Sequence, residues 1–285
     1  MRYDTRNRAW GKPTVRDPVA SKRQYRKEIV RFGRMLHERG FVAATDGNLS
    51  VRLDRRRILV TPTSMSKGMM LPSDLVIVDM EGNQIAGRRN VSSEIGMHLL
   101  IYRLRPDVKG IVHAHPPTAT GFAACGVALT QPLVCEVVIG LGCIPLAQYG
   151  TPGTPELTDA LAPLVPQYDA ILMKNHGVVT YGEDLPCAYM KMETVEHFAR
   201  IALVSHLLGR SEPLNDREVE KLIEARSKYE GAKSAAPMPL AVPVGSGNGE
   251  GDGKPRTRVQ PDEEESVPAK RTPSRSRWSS TRRPI

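Results

Sequence analysis

Ile111-Val112-His113-Ala114-His115-Pro116 is answered further along the chain by Ala170–Lys174, Asn175-His176-Gly177 and Val178–Tyr181. The apolar run Val108–His113 reads as a buried strand, and two more strands meet at the Asn-His-Gly turn. A turn that short admits only antiparallel pairing, since parallel neighbours need a long crossover, so a purely parallel sheet is disfavoured. Successive side chains on a strand point to opposite faces, which puts His113 and His115 on one face about 7 Å apart. Two imidazoles so placed can converge on one divalent cation, with a third histidine brought in by the fold. Three neutral nitrogens leave coordination positions open, as at a catalytic metal. Paired histidines also occur on half-buried strands with their hydrogen bonds satisfied, so the H-x-H needs support from the rest of the chain.

Working outward, Ile29, Val30, Phe32, Met35 and Leu36 recur near helical spacing within 21–39, and Gly40 is placed to end that helix. Leu49–Leu53, Ile58–Thr61 and Leu75–Asp79 read as strands, the last closed by the turn Glu81-Gly82-Asn83. Ser92 or Ser93 reads as the N-cap of a helix running to Arg105, where Pro106 stops it. Pro116–Cys125 reads as helical and Val134–Ile139 as a strand. Thr154-Pro155-Glu156 opens another helix. A long helix is expected from Pro186 to Leu208, closed by Gly209, and an amphipathic segment over Asp216–Tyr229. Strands interleaved with helices, several in hairpin-like pairs, predict an α/β sheet of mixed direction covered by helices.

The 285 residues suffice for one sizeable core plus tails. No apolar run approaches the roughly 20 residues of a membrane helix, and the basic start, Met1–Arg16, lacks the apolar core of a secretory signal. Cys125, Cys135, Cys143 and Cys187 show no C-x-x-C spacing and read as reduced thiols of a cytoplasmic protein. Much of the +9 formal charge sits at the two ends. The expected organisation is a basic arm over 1–20, a catalytic body over 21–230 and a disordered low-complexity tail over 231–285. That tail could grip RNA, DNA or an acidic membrane without sequence preference; a solvated extension is the preferred reading.

Three hydroxyl- or glycine-rich clusters accompany the histidines: Thr45-Asp46-Gly47-Asn48-Leu49-Ser50, Thr61-Pro62-Thr63-Ser64-Met65-Ser66 and Ser92-Ser93-Glu94. Each by itself is explained by turn or cap chemistry. Together, beside a metal triad, they would clamp a phosphosugar between anion-binding amides and a cation. Glu193, Glu196 and His197 read as a solvated or interface face of the long helix. His37, His98 and His206 read as structural, and Lys174 as a solvated lysine instead of a Schiff-base amine.

Gly47-Asn48-Leu49-Ser50, Thr61-Pro62-Thr63-Ser64, Ser92-Ser93-Glu94, His113-Ala114-His115-Pro116 and Asn175-His176-Gly177, in that order, resemble the class II aldolase/adducin family over Ser21 to Tyr229. The resemblance implies a three-layer α/β/α fold around a mostly antiparallel sheet, assembled as a homotetramer with active sites between subunits. It implies Zn2+, or another divalent cation such as Mn2+, on His113, His115 and His176, with Glu94 as the metal-facing acid/base. Gly47, Asn48, Thr63, Ser64, Ser92 and Ser93 would hold the phosphate. The implied activity is that of an aldehyde-lyase cleaving a ketose phosphate, such as a fuculose-1-phosphate-like sugar, to dihydroxyacetone phosphate and an aldehyde.

The chain departs from the aldolase pattern at two positions. Ser64 replaces the glycine of the phosphate turn, and Glu136 stands where the fuculose-phosphate aldolases carry a tyrosine from the next subunit. A carboxylic acid with a raised pKa can do that acid work. Methylthioribulose-1-phosphate dehydratases have a glutamate near Glu136, and ribulose-5-phosphate 4-epimerases an acidic residue there with aspartate in place of Glu94. Epimerase, dehydratase and decarboxylase activities therefore stand as alternatives, with a non-catalytic adducin-like domain more remote.

Overall fold

The central strands are buried residue after residue, because both faces of the sheet are covered. The computed structural model describes residues 18–229, all within the first of two units, Met1–Val244; the second unit, Gly245–Ile285, lies outside the described residues. The expected arm lies almost wholly, and the expected tail wholly, outside them as well. In chain order the elements are α1 (Pro18–Glu38), β1 (Asn48–Arg52), β2 (Ile58–Val60), β3 (Val76–Val78), β4 (Gln84–Ala86) and α2 (Ile95–Leu104). Then come β5 (Gly110–Ala114), α3 (Pro117–Ala124), α4 (Cys135–Gly140), β6 (Leu146–Ala147), α5 (Pro155–Leu161), β7 (Ala170–Met173), β8 (Gly177–Gly182), α6 (Leu185–Leu207) and α7 (Asp216–Tyr229).

The strands form one sheet in the order β4-β3-β2-β1-β5-β8-β7-β6. All neighbours are antiparallel except β6 and β7, which confirms the mixed, mostly antiparallel sheet. Leu49, Val51, Leu59, Val112 and Val178 face one core, with Ile29, Phe32 and Leu36 of α1, Ala119 and Ala123 of α3 and Ala188, Met192 and Val195 of α6. Ile58, Val60, Ile111, Ile171 and Val179 face the other, with Met97 and Ile101 of α2 and Leu157 and Leu161 of α5. Three layers follow from this period-two pattern. The helices on the first face show the matching period: Ile29, Phe32 and Leu36, or Leu185, Ala188, Met192, Val195 and Ala199, each recur three or four residues apart.

Gly40, at φ +69°, ends α1 as expected, with its N–H on His37 O and that of Phe41 on Leu36 O. Asp184 caps α6 by accepting from Cys187 N at 2.8 Å. Two expectations are corrected. Val134–Ile139 is not a strand: Val134 O accepts from Val137 N and Val138 N, and residues 135–140 form α4, whose Val137 and Val138 are buried. Neither Ser92 nor Ser93 is the N-cap of α2; that position is Glu94, whose side chain makes no cap bond. The strands β4 and β6 were not expected.

Candidate metal centre

β5 carries His113 to the edge of the sheet's interior, and His115 follows just past the strand's end. β8 lies beside β5 in the register Ala114↔Val178, which brings the tight turn before it, and hence His176, against the pair. Asn175 turns the chain at φ +56°. Gly177 permits the approach, because a Cβ there would lie 2.5 Å from the His115 ring and 2.7 Å from Ala114 O. The ring centroids of His113, His115 and His176 are 4.8–5.2 Å apart. One nitrogen from each falls within 4.8 Å of the others, the donor set of a cation site.

Glu94 closes the triad. Its Oε2 lies 3.3 Å from His113 Nε2 and its Oε1 3.1 Å from His176 Nε2. Burial pushes this carboxyl up, but His113 and His176 outweigh it and hold the group well below the usual carboxylate range. His113 is fully buried; its Nδ1 donates to Val178 O at 2.9 Å, which fixes Nε2 as the nitrogen turned to the site. Burial, then the other two imidazoles, push His115 down to about 4, so it stays neutral and free to ligate. Glu94 Oε1 and His176 Nδ1 are buried without a hydrogen-bond partner. Orphaned polar atoms beside three converging imidazoles fit a bound divalent cation.

The hydroxyl clusters gather at this centre. Thr61 N donates to Leu49 O at 3.1 Å, and Leu49 N donates in return to the side-chain Oγ1 of Thr61 at 3.2 Å. Pro62 bridges antiparallel to Val91, and Thr63 N donates to Asn90 O, which pairs this turn with the segment leading into Ser92. Ser92 Oγ accepts from Glu94 N at 3.3 Å. A Cβ on Gly47 (φ +71°) would lie 2.7 Å from His113 O. Ala44, Ser64 and Asn175 are the non-glycine residues with positive φ among those described, and each lies in a loop around the centre. Ser64 thus holds the left-handed backbone that a glycine takes without cost.

Asn48 is brought in, but its amide is committed within the protein, donating to Glu94 Oε2 at 2.7 Å and accepting from His98. Glu136 is not brought to the triad of its own chain; it is exposed on α4. Glu196, expected on a solvated face, is 1 % exposed and accepts from Thr118 N, Thr118 Oγ1, Ala119 N and Arg200 Nε. It caps α3, two residues after His115, and so anchors the chain as it leaves the triad. His98 proves polar in its surroundings, not merely packed.

Lys67 was missed. It is 1 % exposed, and its Nζ donates to Thr45 O at 2.8 Å and Met65 O at 2.6 Å, tying two of the clusters together. Burial pushes it down to about 8, against the pull of Asp46 and Glu94. The only signal was a lysine inside a hydroxyl-rich turn.

Residues 27–203 match the model of the Class II Aldolase and Adducin N-terminal domain. The chain is 32% identical over 208 residues to a 5-deoxy-D-ribulose 1-phosphate aldolase of Bacillus thuringiensis, covering 72% of this chain and 95% of that protein. It is 36% identical over 205 residues to a 3-oxo-tetronate 4-phosphate decarboxylase of Haemophilus influenzae, covering 70% and 96%. A solved L-fuculose 1-phosphate aldolase superposes with a TM-score of 0.67 at 31% identity, covering 73% of this chain and 96% of that one.

Proposed function

Because the chain belongs to the class II aldolase and adducin family, we propose that it is a metal-dependent carbon–carbon lyase acting on a phosphorylated ketose. The products would be dihydroxyacetone phosphate and an aldehyde, as for a fuculose-1-phosphate-like sugar. The carrying observation is an ionised Glu94 wedged between His113 and His176, with His115 completing the triad.

A divalent cation, Zn2+ or Mn2+, held by His113, His115 and His176 would supply Lewis-acid polarisation of the substrate oxygens. Glu94, buried and ionised, would take a proton from the carbon of dihydroxyacetone phosphate that forms the new bond in condensation, and give it back to that carbon in cleavage. Amides and hydroxyls of Gly47, Thr63, Ser64, Ser92 and Ser93 take the phosphate, and the buried ammonium of Lys67 adds positive charge. Asn48 serves Glu94 more directly than it serves the phosphate. Glu136, exposed on its own chain, is available to a neighbour in a homotetramer, where it would take the proton from the hydroxyl that becomes the aldehyde oxygen in cleavage and return it in condensation. The catalytic body spans 21–230, flanked by an arm and a tail, in a cytoplasmic protein; among the described residues no helix is long and apolar enough to cross a membrane.

Metal analysis of the purified protein, and a coupled dehydrogenase assay over a panel of ketose 1-phosphates, test this. About one ion per chain and formation of dihydroxyacetone phosphate are expected for a single triad. No turnover with metal bound would overturn it. A second reading, decarboxylation of a 3-oxo acid phosphate, is favoured by the identity to the Haemophilus influenzae decarboxylase. Product mass separates the two at once, since only the latter loses carbon dioxide.

A further inference from the structure

Behind Glu94 runs a file of buried polar groups built like two interleaved combs. Asn48 and Ser50 are alternate residues of β1 and share a face. His98 and Tyr102 are four apart on α2 and share a face as well. Interdigitated, they give Glu94 Oε2 to Asn48 Nδ2 at 2.7 Å, Asn48 Oδ1 to His98 Nε2, His98 Nδ1 to Ser50 Oγ at 2.6 Å, and Ser50 Oγ to Tyr102 OH at 2.9 Å. None of these four residues is more than 2 % exposed.

One end sets the direction of every bond. An ionised carboxylate only accepts, so Asn48 must donate its NH2 to Glu94 and turn its carbonyl oxygen to His98. His98 Nε2 must then carry the proton. Its Nδ1 is left to accept from the Ser50 hydroxyl, whose oxygen accepts from Tyr102 O–H. Burial keeps His98 neutral, which this pattern requires. An Asn48 amide turned over would aim its oxygen at the carboxylate and its NH2 at the Nε2 proton, two repulsive contacts in a dry site.

We propose that His98 is a positioning residue for Glu94: acting through Asn48, in the one tautomer that the carboxylate dictates and the Ser50 hydroxyl completes, it holds Oε2 and leaves Oε1 as the oxygen facing substrate. This rests on Glu94 being the acid/base of the proposed lyase.

His98→Gln keeps a donor at the Nε2 position, whereas His98→Leu removes it at similar volume. Loss of a supporting partner of this kind costs 10–100-fold, so His98→Leu should lower kcat by that factor with KM changed less than about threefold. His98→Gln should recover most of kcat. A second readout needs no turnover: the visible absorption of the Co2+-loaded protein reports whether Glu94 keeps its place. The His98→Leu spectrum should move toward that of Glu94→Gln, and the His98→Gln spectrum should overlay that of the unaltered protein. A His98→Leu spectrum and kcat equal to those of the unaltered protein would overturn the proposal. So would equal loss in both variants, which marks simple packing. Should His98→Leu fail to fold, Ser50→Ala carries the same test with a drop at the lower end of that range, about tenfold; no drop and no spectral change there would refute it. Absence of any lyase activity in the unaltered protein would sink the lyase reading while the cobalt spectra still decide this one.

Discussion

Gly47→Ala separates the two reasons for a glycine at the centre's edge. The backbone there has φ +71°, and the added Cβ would sit 2.7 Å from His113 O and 2.7 Å from Val42 Cγ1. The left-handed conformation costs a non-glycine residue about 1–2 kcal/mol. The contacts are closer than real Cβ atoms make, and one of them is backbone of β5, so relief requires moving the strand that bears His113. Overpacking of that kind costs roughly 1–3 kcal/mol, giving a total near 2–5 kcal/mol from these sources. Gly40→Ala is the control: φ is +69°, but nothing lies within 4 Å of its Cβ position, so only the conformational cost applies. Urea unfolding of both variants should show the Gly47 protein losing about 1–3 kcal/mol more. Isothermal titration with Zn2+ should show weakened binding only for Gly47→Ala. Equal midpoints for the two variants, with metal affinity intact in both, would refute the claim that Gly47 is required by the closeness of His113.

Three further outcomes are expected. Glu196→Ala strips the acceptor from Thr118 N and Ala119 N, leaving helix-end donors unpaired. The loss should be on the order of 2–4 kcal/mol in chemical denaturation, whereas a solvated glutamate would cost less than about 0.5 kcal/mol. Ser64→Gly relieves a left-handed residue at φ 53° and should raise stability by about 0.5–1 kcal/mol, read as a higher urea midpoint; an unchanged or lower one would contradict the strain. Burial holds His98 neutral down to about 3, while the unfolded chain protonates it near the ordinary imidazole value of 6.5. The unfolded state therefore binds the extra proton in that window, and the group removes up to about 1.4 kcal/mol of stability per pH unit as pH falls through it. His98→Gln should flatten that part of the curve, and identical slopes would count against a buried neutral imidazole.

The histidine centre was legible because its signals are local. Period two puts His113 and His115 on one face, and a short turn between two apolar runs forces β7 and β8 to pair, as observed. Val134–Ile139 misled because Val, Val and Ile favour strands, yet α4 packs against α7 and that burial overrides propensity. The strands β4 and β6, three and two residues long, are too short to show a period. Glu196 and Lys67 could not be read at all. Their partners are backbone groups brought in by the fold, and a buried charge looks like a surface one until its acceptors or donors arrive.

The pairing of β5 with β1 and β8 has a consequence for assembly of the sheet. His113 stands opposite Asn48 on one side and Val179 on the other. A shift of that strand by a single residue would turn His113 to the opposite face, onto the apolar packing of α3 and α6, and carry His115 with it. Misaligned chains would have no cage for a cation and would bury polar rings in oil-like surroundings. The register that packs both faces of the sheet is thus also the one that gathers the three imidazoles, so a single alignment of strands serves core and cluster alike.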